Sequence, residues 1–132
     1  KEYGFYDTPQ SHYIMVNDGI WRATRILVDV RLSQGKMTFE KGVETLIAET
    51  GMEKVGAVAE VKRYTQSPAY QLSYLLGKHL FFQLKKDVKR WMGNRYNDTF
   101  FHDTILQAGS IPISYLRKIF RRKIKEESLA VR

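Results

Sequence analysis

The sequence contains no cysteine, so disulfides, thiolate metal sites and thiol nucleophiles are excluded. Its three histidines are isolated from one another, and no pair has the spacing of zinc ligands on one helix face. No apolar run approaches the roughly 20 residues that a membrane-spanning helix needs. We therefore expect no metal site within this chain and no membrane partner.

The start of the chain also lacks the apolar segment of a signal peptide, which favours a cytoplasmic protein. The first residue is Lys1 rather than Met, which indicates a piece of a longer protein.

The composition is that of a folded domain: 43% of the 132 residues are hydrophobic and 27% are charged. The net charge is +8, which suggests a nucleic-acid partner. However, six of the 22 basic residues lie in one C-terminal stretch, at Arg117, Lys118, Arg121, Arg122, Lys123 and Lys125, and the rest of the chain is close to an ordinary mixed surface. At most, we expect weak and non-specific nucleic-acid binding that falls steeply with salt.

Caps and apolar periodicity predict about six helices and no strand, in a compact, mostly antiparallel all-α bundle. The predicted helices run from Asn17 or Asp18 to Leu32, from Thr38 to Gly51, through residues 55–64, from Pro68 to Trp91, from Asp98 to Ala108, and onward from Pro112. The last helix has a predicted buried stripe at Leu116, Ile119, Phe120 and Ile124. We expect residues 1–16 to be an irregular lead-in, residues 17–127 a single helical domain, and residues 128–132 a frayed terminus.

The stretch "KRYTQSPAYQLSYLLGK", residues 62–78, has three tyrosines around one proline. Ser67 is a suitable N-cap and Pro68 a suitable first helical residue, so the stretch predicts a corner between two helices. The tyrosines Tyr64, Tyr70 and Tyr74 can fill a core, or their hydroxyls can face a cleft and donate to an oxyanion. The following helix has a predicted packing seam with a 3,4 spacing, at Tyr74, Gly77, Phe81, Leu84, Val88 and Trp91, and Gly77 would allow a neighbouring backbone to approach closely.

The first predicted helix is apolar nearly all round, as in a buried helix, except for a narrow charged sector of Arg22, Arg25 and Asp29. Arg25 and Asp29 are spaced to form an ion pair. The sector faces either solvent or an enclosed polar cavity. His102, beside Asp103 at the start of the fifth helix, is either a general acid or base or a hydrogen-bonded structural residue.

Three motifs together, "WRATRILVDVRL", "EVKRY…P…LSYLLG" and "FHDTIL..G.IP", resemble the C-terminal part of a large prokaryotic family catalogued as domain of unknown function 885. The resemblance covers about residues 19–120. Full-length members are helical and similar to zinc metallopeptidases, with their zinc-binding motifs upstream of this region. The resemblance therefore implies the substrate-side helical part of a zinc-peptidase-like hydrolase, without the metal motif and inactive alone. The alternative is a basic helical domain that binds nucleic acid or another protein.

What the resemblance implies for single residues is specific. The candidate catalytic residues are Tyr74 and His102, and the candidate substrate-binding residues are Arg22, Arg25, Asp29, Arg63, Tyr64 and Tyr70. Two positions depart from the family pattern, since Tyr70 replaces a frequent glutamine and Ser33 a usual histidine. No cofactor is expected in this chain, and zinc is implied only for full-length relatives. The expected partners are an upstream metal-binding part of the same protein and a peptide-like substrate. We expect Arg25, Asp29, Tyr74 and His102 to meet on one concave polar patch.

Overall fold

A computed structural model describes residues 7–130 of the chain. It contains six α-helices: α1 (Pro9–Ser33), α2 (Phe39–Thr50), α3 (Lys54–Gln66), α4 (Leu72–Met92), α5 (Asp98–Ala108) and α6 (Ile113–Ala130). A single 3₁₀ turn, Gly93–Arg95, follows α4. No strand occurs among residues 7–130, and the predicted all-α class is confirmed.

Helix α1 begins well before its predicted start at Asn17 or Asp18. Thr8 is its N-cap and Pro9 its first residue. The Thr8 side chain accepts a hydrogen bond from the backbone N–H of Ser11, and the Ser11 hydroxyl oxygen accepts one from the backbone N–H of Thr8. The prediction of an irregular segment is therefore wrong for residues 9–16. Residues 1–6 of that predicted lead-in lie outside the described residues.

The predicted ends of α2 are confirmed. The Thr38 side chain accepts a hydrogen bond from the N–H of Lys41 at 3.2 Å. Gly51 ends the helix in the left-handed region, at φ +68°, where a residue without a Cβ is favoured. At α5 the cap is Asn97, not Asp98, because the Asn97 side chain accepts from the N–H of Phe100 at 2.6 Å.

The described chain divides into two compact units, one ending at Gly77 and the other starting at Lys78. Each unit has its own hydrophobic cluster. The sequence, by contrast, predicts a single domain over residues 17–127. In the first unit, α1, α2 and α3 pack together around Val28, Val43, Leu46, Ala57, Val61 and Tyr64. A Cβ at Gly42 would lie 3.1 Å from a Val28 methyl, so this glycine allows α2 to approach α1 closely.

The second unit joins α5, α6 and the part of α4 from Lys78 around an apolar cluster of Leu84, Val88, Met92, Phe101, Leu116, Phe120 and Ile124. The predicted stripe of α6 is confirmed at Leu116, Phe120 and Ile124, with Ile119 half-buried. The helix continues to Ala130, residues 131 and 132 lie outside the described part, and fraying of the terminus stays a prediction.

The predicted packing seam of α4 is only half confirmed. Leu84 and Val88 are buried, but Tyr74 and Phe81 are exposed. No described atom lies within 4 Å of the position that a Cβ would take at Gly77. The prediction that Gly77 allows a close backbone approach is therefore wrong for residues 7–130.

Helix α1 buries its polar face rather than an apolar one. Its buried residues are Thr24, Arg25, Val28 and Asp29, three of them polar. Its exposed residues include an apolar series with 3,4 spacing, which we call the α1 stripe: Tyr13, Val16, Ile20, Ala23 and Leu27. The prediction of a helix buried all round is therefore wrong for the described residues, because the neighbours of α1 in its unit cover only the opposite face.

Candidate functional site

The corner between α3 and α4 is a turn rather than the start of a helix. Residues 67–71 form this turn, and α4 begins only at Leu72, so the predicted roles of Ser67 as N-cap and Pro68 as first helical residue are wrong. Ala69 lies in the left-handed region at φ +69°, which is unfavourable for a residue with a Cβ. Its backbone N–H donates to Asp29 Oδ2 at 2.9 Å. A side chain on α1 thus holds the turn in its unusual conformation.

Asp29 is committed to this turn. Its side chain is only 1% exposed, and its other oxygen, Oδ1, accepts a hydrogen bond from the Ser33 hydroxyl at 3.4 Å. Among the described residues no ion pair joins Asp29 to Arg25, so that prediction is wrong. The reason is that the backbone N–H of Ala69, rather than the Arg25 guanidinium, donates to the Asp29 carboxylate.

Arg25 is 4% exposed and lies among aromatic rings instead of carboxylates. Its Cζ is 4.4 Å from the centre of the Tyr74 ring and 5.4 Å from that of Trp21. Guanidinium groups are attracted to the faces of such rings. Yet the Nε and Nη2 atoms of Arg25 are buried and have no hydrogen-bond partner within residues 7–130. Of the two interpretations left open by the sequence, enclosure rather than solvent describes Arg25 and Asp29.

Tyr70 and Tyr74 form the outer side of the corner. Their rings meet edge to face with centres 6.1 Å apart, and their hydroxyl oxygens are 3.4 Å apart. The hydrogen bond to Tyr74 raises the pKa of Tyr70. Both side chains are about half exposed, Tyr74 at 50%. Their hydroxyls are therefore available to a ligand at the surface.

Tyr64 is the tyrosine that fills the core. Its ring is buried in the first cluster, and its hydroxyl donates to Glu60 Oε2 at 2.8 Å. Burial, followed by this hydrogen bond, raises the pKa of Tyr64 to about 12. Arg63 bonds the same Glu60 oxygen at 2.6 Å, so both predicted binding residues have a local partner.

Arg22 lies apart from the buried pair. It forms an ion pair with Asp18 at 3.1 Å, and both side chains are partly exposed. The three-residue charged sector predicted on α1 is therefore divided, since Arg25 and Asp29 are enclosed while Arg22 reaches solvent.

His102 belongs to the second unit. It lies near the start of α5, is exposed, and has its ring edge-on to that of Phe101 with centres 5.4 Å apart. Its predicted meeting with Arg25, Asp29 and Tyr74 concerns residues of different units and stays a prediction.

Three residues of the corner were not predicted from the sequence: Trp21, Glu60 and Gln71. Gln71 is completely buried and its Oε1 has no partner in the described residues. No local signal in the sequence marks it as buried, because it lies in the turn that Asp29 holds. Next to the turn lies a pocket of about 330 Å³, lined by Leu32, Ser33, Tyr64, Thr65 and Pro68.

The second unit has a basic face of different character. Trp91 has two guanidinium groups near its ring, with Arg117 Cζ at 5.7 Å and Arg121 Cζ at 4.9 Å from the ring centre. Arg117 also pairs with Asp87, which pairs with Arg90 as well. Part of the positive charge is thus neutralised locally.

Metal ligands are not gathered anywhere in the described residues. No group of three or more histidine, aspartate or glutamate side chains among residues 7–130 could hold a metal ion. In the same residues, no helix combines the length and apolarity required to cross a bilayer.

Comparison with known proteins identifies relatives but no function. No curated protein matches the chain. A crystal structure described as "the putative lipoprotein from Colwellia psychrerythraea" matches with a TM-score of 0.86 and 26% sequence identity. The match covers 95% of this chain but only 22% of that one, so this chain spans about a fifth of the length of that relative. The model of the family described as bacterial protein of unknown function (DUF885) matches residues 1–119. The chain therefore belongs to the DUF885 family.

Proposed function

We propose that this chain is the C-terminal, substrate-side helical part of a zinc-peptidase-like hydrolase and is inactive alone. The observation behind the proposal is the corner between α3 and α4, where a buried guanidinium with unpartnered donors lies beneath two half-exposed tyrosines. Sites that bind anionic substrates and stabilise a developing oxyanion are built from such positioned donors.

In this proposal the residues have separate roles. Arg25 holds a negatively charged part of the substrate, and the Tyr74 hydroxyl donates to the oxyanion. Asp29 positions the turn through the Ala69 N–H. His102 stays a candidate catalytic residue. Zinc does not fit the described residues of this chain, because they offer no cluster of ligands.

The proposed partner is the remaining, metal-binding part of the same protein. Two observations support it. The matched Colwellia chain is several times longer than this one. The α1 stripe exposes large apolar side chains, among them Ile20 and Leu27, at the 3,4 spacing that packs against another helix. Ile20→Asp and Leu27→Asp should then leave the isolated chain folded but destabilise a full-length relative.

The proposal is tested in a full-length relative such as the Colwellia protein, assayed on peptides with and without a zinc chelator. Replacing the tyrosine equivalent to Tyr74 by Phe should lower kcat by about 100-fold, since loss of one oxyanion donor has that magnitude. The control is the equivalent of Tyr115→Phe, an exposed tyrosine of α6. Full activity of the first variant, or no zinc-dependent hydrolysis of any peptide by the wild type, would overturn the proposal.

The second candidate function is a basic nucleic-acid-binding or protein-interaction domain. The observation that favours it is the Trp91 ring close to both Arg117 and Arg121, since bases stack on aromatic rings beside cations. Binding of single-stranded RNA that keeps a sequence preference at physiological salt would support it. Binding that disappears on raising the salt is the weak, non-specific attraction expected of any basic surface.

A cytoplasmic location stays a prediction. The word lipoprotein in the description of the Colwellia structure applies to that protein.

A further inference from the structure

One edge of the planar Arg25 guanidinium has no hydrogen-bond acceptor in the described residues. The two atoms without partners are Nε and Nη2, which lie on the same side of the planar group, so that their N–H bonds run nearly parallel. This edge matches the two oxygens of a carboxylate, which accept such a pair of hydrogen bonds together. A donor pair buried without any acceptor is costly, so an acceptor is expected when the site is occupied.

The surroundings favour a carboxylate that is attached to an apolar or aromatic group. The rings of Trp21 and Tyr74 lie close to the guanidinium. The edge that carries Nε and Nη2 makes no hydrogen bond to the described residues. The nearest carboxylate on the same helix, that of Asp29, already accepts from Ala69 and Ser33.

Access to this edge depends on the two outer tyrosines. Tyr74 is half exposed and lies directly over Arg25, and its link to Tyr70 is a long hydrogen bond of 3.4 Å. We expect rotation of these two side chains to open a path without any change in the helices, because exposed rotamers interchange within nanoseconds.

We infer that Arg25 binds the free α-carboxylate of a peptide-like ligand through its Nε and Nη2 atoms, under the cover of Tyr70 and Tyr74. The inference rests on the proposed function for the peptide nature of the ligand. It assigns the substrates to peptides with an unblocked C-terminus, as distinct from amidated ones.

The first experiment uses the isolated ¹⁵N-labelled chain and follows the Nε–H signal of Arg25 by NMR. The probes are N-acetyl-L-phenylalanine, which has a carboxylate, and its neutral amide. We expect the acid to shift the signal saturably and the amide to leave it unmoved. Equal shifts with both probes, or none with either at tens of millimolar, would overturn the inference.

Two variants accompany this titration. Arg25→Lys keeps the charge but removes the paired donors, and it should weaken binding of the acid at least tenfold. Arg31→Lys makes the same change at an exposed arginine of α1 that has no assigned role in binding, and it should have no effect. If Arg25→Lys does not fold, as judged by circular dichroism, the acid–amide difference in the wild type decides alone.

The second experiment distinguishes a ligand carboxylate from a carboxylate of the protein itself. In a full-length relative, the Arg25→Lys equivalent should raise KM at least tenfold for peptides with a free C-terminus and leave KM for amidated peptides unchanged. Lower thermal stability with unchanged KM would overturn the inference, since the protein would then supply the carboxylate. Absence of any hydrolysis would overturn the proposed function, while acid binding by the isolated chain would still support this inference.

Discussion

The two compact units bury different kinds of residue. Among the described residues, the first unit buries Thr24, Arg25, Asp29 and Gln71, whereas the only buried polar side chain of the second is Thr104. The second unit keeps its charged side chains in pairs at the surface, such as Lys85 with Asp98 at 2.7 Å. Burying a charge costs free energy even when it is paired. The first unit is therefore organised around something other than stability alone, and the corner with its unfilled donors is the best candidate.

The largest effect should come from the apolar cluster of the second unit. Phe120 is completely buried there, and Phe120→Ala should lower the free energy of unfolding by about 3–5 kcal/mol through lost contacts and a cavity. The measurement is chemical denaturation followed by circular dichroism. Phe82→Ala, at an exposed position of α4, is the control and should cost less than about 0.5 kcal/mol. Similar costs for the two variants would contradict the assignment of the cluster.

A smaller loss should follow from Asp29→Ala in the first unit, because the N–H of Ala69 would lose its acceptor in a part-buried hydrogen bond. The expected cost is about 1–3 kcal/mol in the free energy of unfolding. Asp18→Ala removes a carboxylate of the same helix whose ion pair with Arg22 is exposed, and it should cost at most about 1 kcal/mol. If both variants lower the free energy of unfolding by the same amount, the hydrogen bond from Ala69 to Asp29 does not stabilise the fold more than the exposed ion pair does.

A substitution in the turn should increase the free energy of unfolding rather than lower it. Ala69→Gly should relieve the left-handed strain of about 1–2 kcal/mol. Against this, the greater conformational freedom of glycine stabilises the unfolded chain by about 0.4–1 kcal/mol, so the net gain in the free energy of unfolding should be about 0.5–1 kcal/mol. Ala59→Gly, at an exposed helical position of α3, is the matched control and should destabilise by about 1 kcal/mol. A loss of stability in both variants would mean that Ala69 is not left-handed in solution.

The smallest effect on the free energy of unfolding comes from surface charges of the second unit, and it appears only at acidic pH. The hydrogen bond from Lys85, together with that from Tyr96, lowers the pKa of Asp98 from 3.8 to about 2. Because the unfolded chain binds this proton at higher pH, the bonds stabilise the fold above pH 4, and this contribution disappears as the pH falls towards 2. Asp98→Asn should flatten this part of the stability curve.

Much of the fold was predictable because its signals are local. The caps Thr38 and Gly51 determine the ends of α2, and the 3.6-residue period of α6 identifies Leu116, Phe120 and Ile124 as buried. The signal for the early start of α1 is also local, since a threonine followed by proline, with a serine three residues after the threonine, forms the start of the helix.

The corner was not predictable in the same way. Ser67 and Pro68 favour a helix start by their local chemistry, but the turn is fixed by a bond from Asp29, 40 residues earlier in the chain. Likewise, spacing alone suggested a pair between Arg25 and Asp29, because it could not reveal that a backbone N–H would take the carboxylate. The catalytic and substrate-binding roles of these residues stay predictions, since they concern a ligand rather than the fold.

Each unit also contains one of the two tryptophans, Trp21 in the first and Trp91 in the second. Both indoles lie close to arginine side chains, so each is sensitive to rearrangement of its own surroundings. Trp21→Phe and Trp91→Phe would give two chains, each with a single built-in fluorophore. Emission spectra recorded during unfolding would then report on one unit at a time, without an attached dye.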